Sequence, residues 1–210
     1  MLTLYYCFDD LTGRSPAEIS SLEHQLGRRL LSFGLDCLYG LPFDEADLSF
    51  EPKGKPHLTQ HPEIHFSISH CRGMVVCALG AQRVGVDAEA PRRRISEALR
   101  HRILSPEEQA TLSGLPEDEV NFCFLRFWTL KEAYVKYLGI GISTDLQSVS
   151  FSFDDSWQPT CSDPEVTCYQ AVLHERFLLS LCCRGQSEVA LHEIPLAQLL
   201  QNDSCENRAN

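Results

Sequence analysis

Twice along this chain a Ser-Pro pair opens what reads as a helix, and each time a set of short strands follows. Ser15-Pro16-Ala17-Glu18 and Ser105-Pro106-Glu107-Glu108 share one grammar. Serine caps the N-terminus, proline takes the first helical position, and a glutamate reaches back to the cap. After the first cap, Ile19, Leu22, Leu26, Leu30 and Phe33 recur at helical spacing, with Gly34 as a natural stop. Strands follow at 64–70, where Ile64, Phe66 and Ile68 alternate with His65, Ser67 and Ser69, then at 74–79 and 84–88. After the second cap a longer helix runs from 117 to 138 and ends at Gly139, with strands near 147–153, 166–173, 177–183 and 188–194. Helix-then-strands order in each half predicts an α+β fold, not a parallel βαβ one. The length of 210 residues suits one domain or two of about 100 residues.

Eighteen basic against 29 acidic residues leave a net charge of −11, which argues against a general nucleic-acid binder. No apolar stretch reaches the roughly 20 residues a membrane span needs, and the acidic opening MLTLYYCFDD does not read as a signal peptide. The ten cysteines contain no Cys-x-x-Cys pair, and Cys182-Cys183 would point to opposite faces of a strand. They read as small core residues in a reducing cytoplasm.

Three segments carry candidate chemistry. In VGVDAE (84–89) strand alternation puts Gly85, Asp87 and Glu89 on one face and Val84, Val86 and Ala88 on the other. Two carboxylates on one face suit Mg²⁺, with the glycine leaving room for a ligand; a solvated acidic strand is the plainer alternative. In the helix that contains FWTLKEAYVKYLG (127–139), the side chains of Cys123, Phe127, Leu130, Tyr134 and Leu138 form an apolar stripe opposite Glu132 and Lys136. An exposed Glu-to-Lys pair explains that spacing, but Lys131 sits at the stripe's edge, where its ammonium needs a partner. Two lysines flanking a glutamate suit a phosphate clamp. Lys53-Gly54-Lys55-Pro56 offers a loop a phosphate ligand could approach, or a solvated turn. His70, beside Ser69, ends a strand that reads as buried. Arg92, Arg93, Arg94, Arg100 and Arg102 against Glu97 make 91–102 net +4, leaving −15 elsewhere; the patch suits an acidic partner or a solvated helix.

Taken in order, GKPHL (54–58), FSISHC (66–71), VGVDAE (84–89), LSPEEQ (104–109) and FWTLKEAYVKYLGIGIS (127–143) resemble the 4'-phosphopantetheinyl transferase superfamily, in its monomeric Sfp-like class. The resemblance implies two similar α+β halves with the active site in the cleft between them: 1–83 for coenzyme A nucleotide contacts, 84–197 for the Mg²⁺ site and catalytic helix, and a polar tail at 198–210. It implies transfer of the 4'-phosphopantetheine arm of coenzyme A to a serine of an acyl or peptidyl carrier protein, releasing 3',5'-ADP. By the same resemblance Asp87, Glu89 and Glu132 are Mg²⁺ ligands, and Glu132 is also the base. Lys131 and Lys136 are catalytic and contact the phosphates, as Asp87 does through the metal. Lys55 and Pro56 contact the adenine, and Ser69 and His70 bind phosphates. Glu108, or Glu107 with a one-residue shift, positions Lys131. The first helix departs from the family pattern, offering only His24, Arg28 and Arg29 as basic residues. An acidic carrier would dock near Arg92, Arg93 and Arg94. A Mg²⁺-dependent phosphohydrolase and a non-catalytic coenzyme A or carrier-binding module are the competing readings.

Overall fold

A computed structural model describes residues 1–9, 11–91, 95–141 and 145–201. Strand β1 (Leu2–Phe8) precedes helix α1 (Pro16–Tyr39), the short strands β2 (Leu48–Phe50) and β3 (Pro56–Leu58), then β4 (His65–Cys71) and β5 (Met74–Gly80). The second set is β6 (Val84–Glu89), α2 (Glu97–Ile103), α3 (Pro106–Ser113), α4 (Glu117–Leu138), β7 (Phe151–Phe153), β8 (Pro159–Cys161), β9 (Val166–Leu173) and β10 (Phe177–Arg184). Strand β11 (Val189–Glu193) and helix α5 (Leu196–Gln201) close the described chain. The fold is α+β, and its two main sheets run β11-β1-β5-β4 and β6-β10-β9.

Each long helix covers one sheet. Leu26, Leu30, Leu31 and Leu35 of α1 bury against Tyr5, Cys7, Val75, Cys77 and Leu79. On the other side Phe127, Leu130 and Ala133 of α4 share a core with Leu178 and Cys182. The sheet faces turned away from the helices make a third core, where Leu2, Leu4, Val76 and Ala78 meet Val84, Val86, Leu181 and Cys183. Cys182 and Cys183 therefore point into different cores, as strand alternation requires. All nine described cysteines are free thiols. Among the described residues no helix is long and apolar enough to cross a membrane.

Both Ser-Pro caps form the expected capping boxes, with Ser15 and Glu18 at α1 and Ser105 and Glu108 at α3. Gly139 ends α4 in the left-handed region at φ 68°. Gly34 does not stop α1, which continues to a left-handed Gly40. A Cβ on Gly34 would lie 2.7 Å from Leu79 Cδ1, and one on Gly27 2.8 Å from Ile68 Cγ2. Spaced seven apart on one helical face, the two glycines let α1 lie close on its sheet. Residues 147–153 hold a 3-10 turn (Leu146–Ser148) before β7, not one strand.

The expected division into 1–83 and 84–197 takes one amendment. Strand β11 pairs in parallel with β1, from Leu2↔Val189 to Tyr6↔Glu193, and Leu199 of α5 buries in the α1 core. The chain thus returns to its first sheet, and the 198–210 segment is a helix as far as Gln201; 202–210 lie outside the described residues.

Candidate active site

The two sheets meet along β4 and β6, and serine side chains join them where a backbone ladder is missing. Ser67 Oγ accepts the Val86 N–H at 3.1 Å and Ser69 Oγ the Ala88 N–H at 3.3 Å. The polar face of β4 is therefore buried against β6 instead of facing water; Ser67 and Ser69 are 6% and 5% exposed. Ser69 Oγ also donates to Asp87 Oδ1 at 2.8 Å.

Helix α4 reaches this seam because Gly85 lacks a side chain. A Cβ there would sit 2.0 Å from Ala133 O and 2.2 Å from Tyr137 N, so Gly85 makes room for the helix backbone and not for a ligand. Cations fasten the helix end. Lys55 Nζ donates to Lys136 O and to Val84 O, and Arg83 donates to Tyr137 O at 2.6 Å and Leu138 O at 3.0 Å while pairing with Glu51 at 2.6 Å. Positive charge on the last carbonyls complements the helix dipole.

So placed, α4 sets Glu132 and Lys136 over Asp87. Lys136 Nζ donates to Asp87 Oδ1 at 2.7 Å and to Ser69 Oγ at 2.8 Å. Asp87 Oδ2 and Glu132 Oε1 are buried and have no hydrogen-bond partner. Burial first, then the charge of Asp87, holds the Glu132 carboxyl above the ordinary glutamate range; Lys136 opposes the shift and Glu89 adds to it. Glu89, on the same strand face, accepts Trp128 Nε1–H at 3.2 Å. Among the described residues no three or more His, Cys, Asp or Glu side chains stand close enough together to hold a metal ion by themselves. Two unpartnered buried carboxylate oxygens beside a third acid are nevertheless the donor set a hard divalent cation needs, and Mg²⁺ takes few protein ligands. The residues present fit such an ion.

Beside this centre lies a cavity of about 260 Å³ lined by Lys53, Lys55, Pro56, Ser67, Glu132 and Lys136. At the other end, His70 Nδ1 lies 3.1 Å from Glu23 Oε2, and the His24 ring packs on the His70 ring at 4.9 Å. Burial, more than the neighbouring charges, holds His70 below the usual histidine value.

A family model described as "4'-phosphopantetheinyl transferase superfamily" matches residues 83–189, half of the chain. The chain belongs to the 4'-phosphopantetheinyl transferase superfamily. The 4'-phosphopantetheinyl transferase psf-1 of Bacillus pumilus is 32% identical over 140 residues, 67% of this chain and 60% of that protein. The 4'-phosphopantetheinyl transferase Sfp of Bacillus subtilis (strain 168) is 32% identical over 124 residues, 58% of this chain and 55% of that one. Among solved structures, a holo-(acyl-carrier-protein) synthase from Bacillus anthracis str. Ames in complex with CoA (3',5'-ADP) is 23% identical with a TM-score of 0.41, covering 50% of this chain and 96% of the other.

Within this superfamily member the sequence-derived residues divide. Asp87, Glu132, Lys136 and Ser69 come together at the seam with Glu89 on the same strand face as Asp87, Pro56 lines the adjoining cavity, and His70 lines a separate cavity with Glu89. Lys131 does not join them. Its side chain is wholly buried, 2.9 Å from Glu108 Oε2, and its ammonium also donates to Leu146 O at 2.7 Å and Val149 O at 2.6 Å. All three donors are used inside the core, so the expected phosphate and catalytic roles of Lys131 are corrected to a structural one. Glu108 is the supporting acid, since its other oxygen accepts the Phe151 N–H at 2.8 Å, whereas Glu107 accepts from Ser105 Oγ. Lys55 lines the cavity with its stem, but its ammonium serves backbone carbonyls instead of a ligand's phosphate.

In α1, Arg28 pairs with Glu45 at 2.9 Å and Arg29 donates to Leu199 O at 2.6 Å, leaving His24 as the basic residue beside His70. Arg92, Arg93 and Arg94 lie outside the described residues. Glu23 was missed, although an acid four after Ile19 and three before Leu26 stands on a buried helix face, where an acid needs a purpose.

Proposed function

We propose that this chain transfers the 4'-phosphopantetheine arm of coenzyme A to a serine of an acyl or peptidyl carrier protein and releases 3',5'-ADP. The observation that carries the reading is the buried seam where Asp87 Oδ2 and Glu132 Oε1 stand unpartnered beside the Lys136 ammonium. Asp87, Glu89 and Glu132 would hold Mg²⁺, which when bound neutralises the diphosphate of the donor. Lys136 binds the diphosphate, and Ser69 and His70 bind its remaining oxygens. Pro56 and the stem of Lys55 form the wall against which the adenine packs. Glu132 takes the proton of the acceptor serine, a role suited to a carboxyl held above its ordinary value. The serine oxygen bonds to the phosphorus carrying the pantetheine arm, the bond from that phosphorus to the bridging oxygen breaks, and the nucleotide leaves.

Two helix-on-sheet halves in one chain support a site complete in a monomer, and nine free thiols support a reducing, cytoplasmic setting. The acceptor is acidic, in keeping with the basic 91–102 segment. Incubation with coenzyme A, Mg²⁺ and apo carrier proteins tests the reading by mass spectrometry. A gain of one phosphopantetheine supports it, and loss of that gain in Glu132→Gln supports the role of the base. Phosphate release without carrier labelling would assign the site to a phosphohydrolase.

A further inference from the structure

Two arginines, one from each sheet, share a cavity beside the seam and have no part in the chemistry above. Arg72 lies on the turn between β4 and β5, Arg176 on the turn between β9 and β10, and both line a cavity with His70 and Glu89. Both side chains are exposed. Among the described residues neither guanidinium has a carboxylate partner, although acidic residues exceed basic ones 29 to 18.

The turn bearing Arg176 is held in a strained form. His174 and Glu175 have φ of 48° and 54°, and Arg176 N–H closes the turn on Leu173 O at 3.1 Å. Two successive left-handed residues make a hairpin turn that favours Asn-Gly, yet neither residue here is glycine or asparagine. Neighbours hold it there. The His174 ring packs on Phe8 at 4.2 Å and its Nε2 lies 3.1 Å from Glu193, while the Arg176 guanidinium stands 5.0 Å over Phe177. Strain kept in place by such contacts points to a fixed presentation of side chains.

The same two arginines border a second, adjoining cavity of about 640 Å³ with Phe8, Asp9, His174 and Phe177. The Asp9 side chain is 2% exposed; one oxygen pairs with Arg14 at 2.7 Å and the other has no partner. Cations, an unpaired buried acceptor and aromatic rings on one wall do not suit a small anion, which Asp9 would repel. They suit a polypeptide, which offers carboxylates, N–H donors and apolar groups together.

We propose that Arg72 and Arg176 dock the acceptor protein through carboxylates near its acceptor serine. The proposal rests on the transfer reading, since the cavity these arginines line also holds His70 and Glu89 of the proposed site. The test compares wild type with Arg72→Glu, Arg176→Glu and the double variant, using an apo acyl carrier protein and an apo peptidyl carrier domain as probes. Carrier KM, coenzyme A KM and kcat are measured, with direct carrier binding read in the absence of coenzyme A. The double variant is expected to weaken binding of the preferred carrier and raise its KM by about tenfold or more, with coenzyme A KM and kcat at saturating carrier within about twofold. Its carrier KM should also lose most of the salt dependence seen in wild type. Unchanged carrier affinity, or a raised coenzyme A KM with carrier KM unmoved, overturns the docking surface. A wild-type chain that binds a carrier but forms no holo-carrier overturns the transfer reading instead, and its loss of binding in the double variant still decides the surface.

Discussion

Replacing Lys131 by methionine takes the cation away from a carboxylate that has no route to water. Lys131 and Glu108 stand 2.9 Å apart with both side chains 0% exposed, and the same ammonium satisfies Leu146 O and Val149 O. Breaking such a buried pair costs about 3–5 kcal/mol, because the remaining charge stays desolvated. For a chain of this size that is a fall in Tm of roughly 6–20 °C. Methionine keeps the stem's volume, so little of the loss comes from a cavity. Adding Glu108→Gln removes the stranded charge while an amide oxygen still accepts from Phe151 N–H, and should restore at least half of the loss. Urea unfolding followed by the fluorescence of Trp128 and Trp157 measures both variants. Carrier labelling well below Tm should show a coenzyme A KM close to that of wild type. Wild-type stability in Lys131→Met, together with abolished labelling or a much raised coenzyme A KM, would instead place Lys131 at the phosphate.

Three further perturbations probe the same framework. Gly85→Ala drives a methyl into Ala133 O and Tyr137 N, which are backbone atoms. A loss near the top of the overpacking range, about 3 kcal/mol, is expected in urea unfolding, and a loss under about 1 kcal/mol would mean that α4 does not rest on β6 as described. Burial first, then the charge of Arg83, lowers the Lys55 ammonium from 10.5 to about 8. Between those values the unfolded chain binds more protons, so the penalty for the buried charge is full below about 8 and is relieved as pH rises toward 10.5. Wild type should therefore gain stability over Lys55→Met between pH 8 and 10, and a constant gap would contradict this. Glu175→Gly relieves one left-handed residue and should stabilise the chain by about 1 kcal/mol, seen as a Tm higher by roughly 2–4 °C; an unchanged or lower Tm would mean the turn is unstrained.

The strongest local signals survived into the structure. Helix α4, its Gly139 stop, both capping boxes and the two faces of β6 follow from spacing and cap chemistry alone. Strand β1 was not foreseen because it lies between β11 and β5, and its run of apolar residues lacks the alternation that marks a half-exposed strand. Its parallel pairing with β11 joins residues nearly 190 apart, which no local pattern encodes. Gly34 and Gly85 were misread for one reason. A glycine in sequence signals a missing side chain, but only the neighbours decide whether a turn, a ligand or another backbone fills the space. Lys131 shows the same limit on the helical wheel. A stripe edge is wet on an isolated helix, whereas Leu146, Val149 and Phe151 close over α4 and leave Glu108 as its counter-charge.

The seam of Asp87, Glu132 and Lys136 is proposed to move a phosphopantetheine group onto a carrier serine. The decisive measurement is the intact mass of an apo carrier incubated with this chain, coenzyme A and Mg²⁺. A gain of one phosphopantetheine at the carrier serine is expected, matched by release of 3',5'-ADP and abolished by Glu132→Gln. An unmodified carrier from the folded wild-type chain across a panel of acyl and peptidyl carriers, or undiminished labelling by Glu132→Gln, would contradict it.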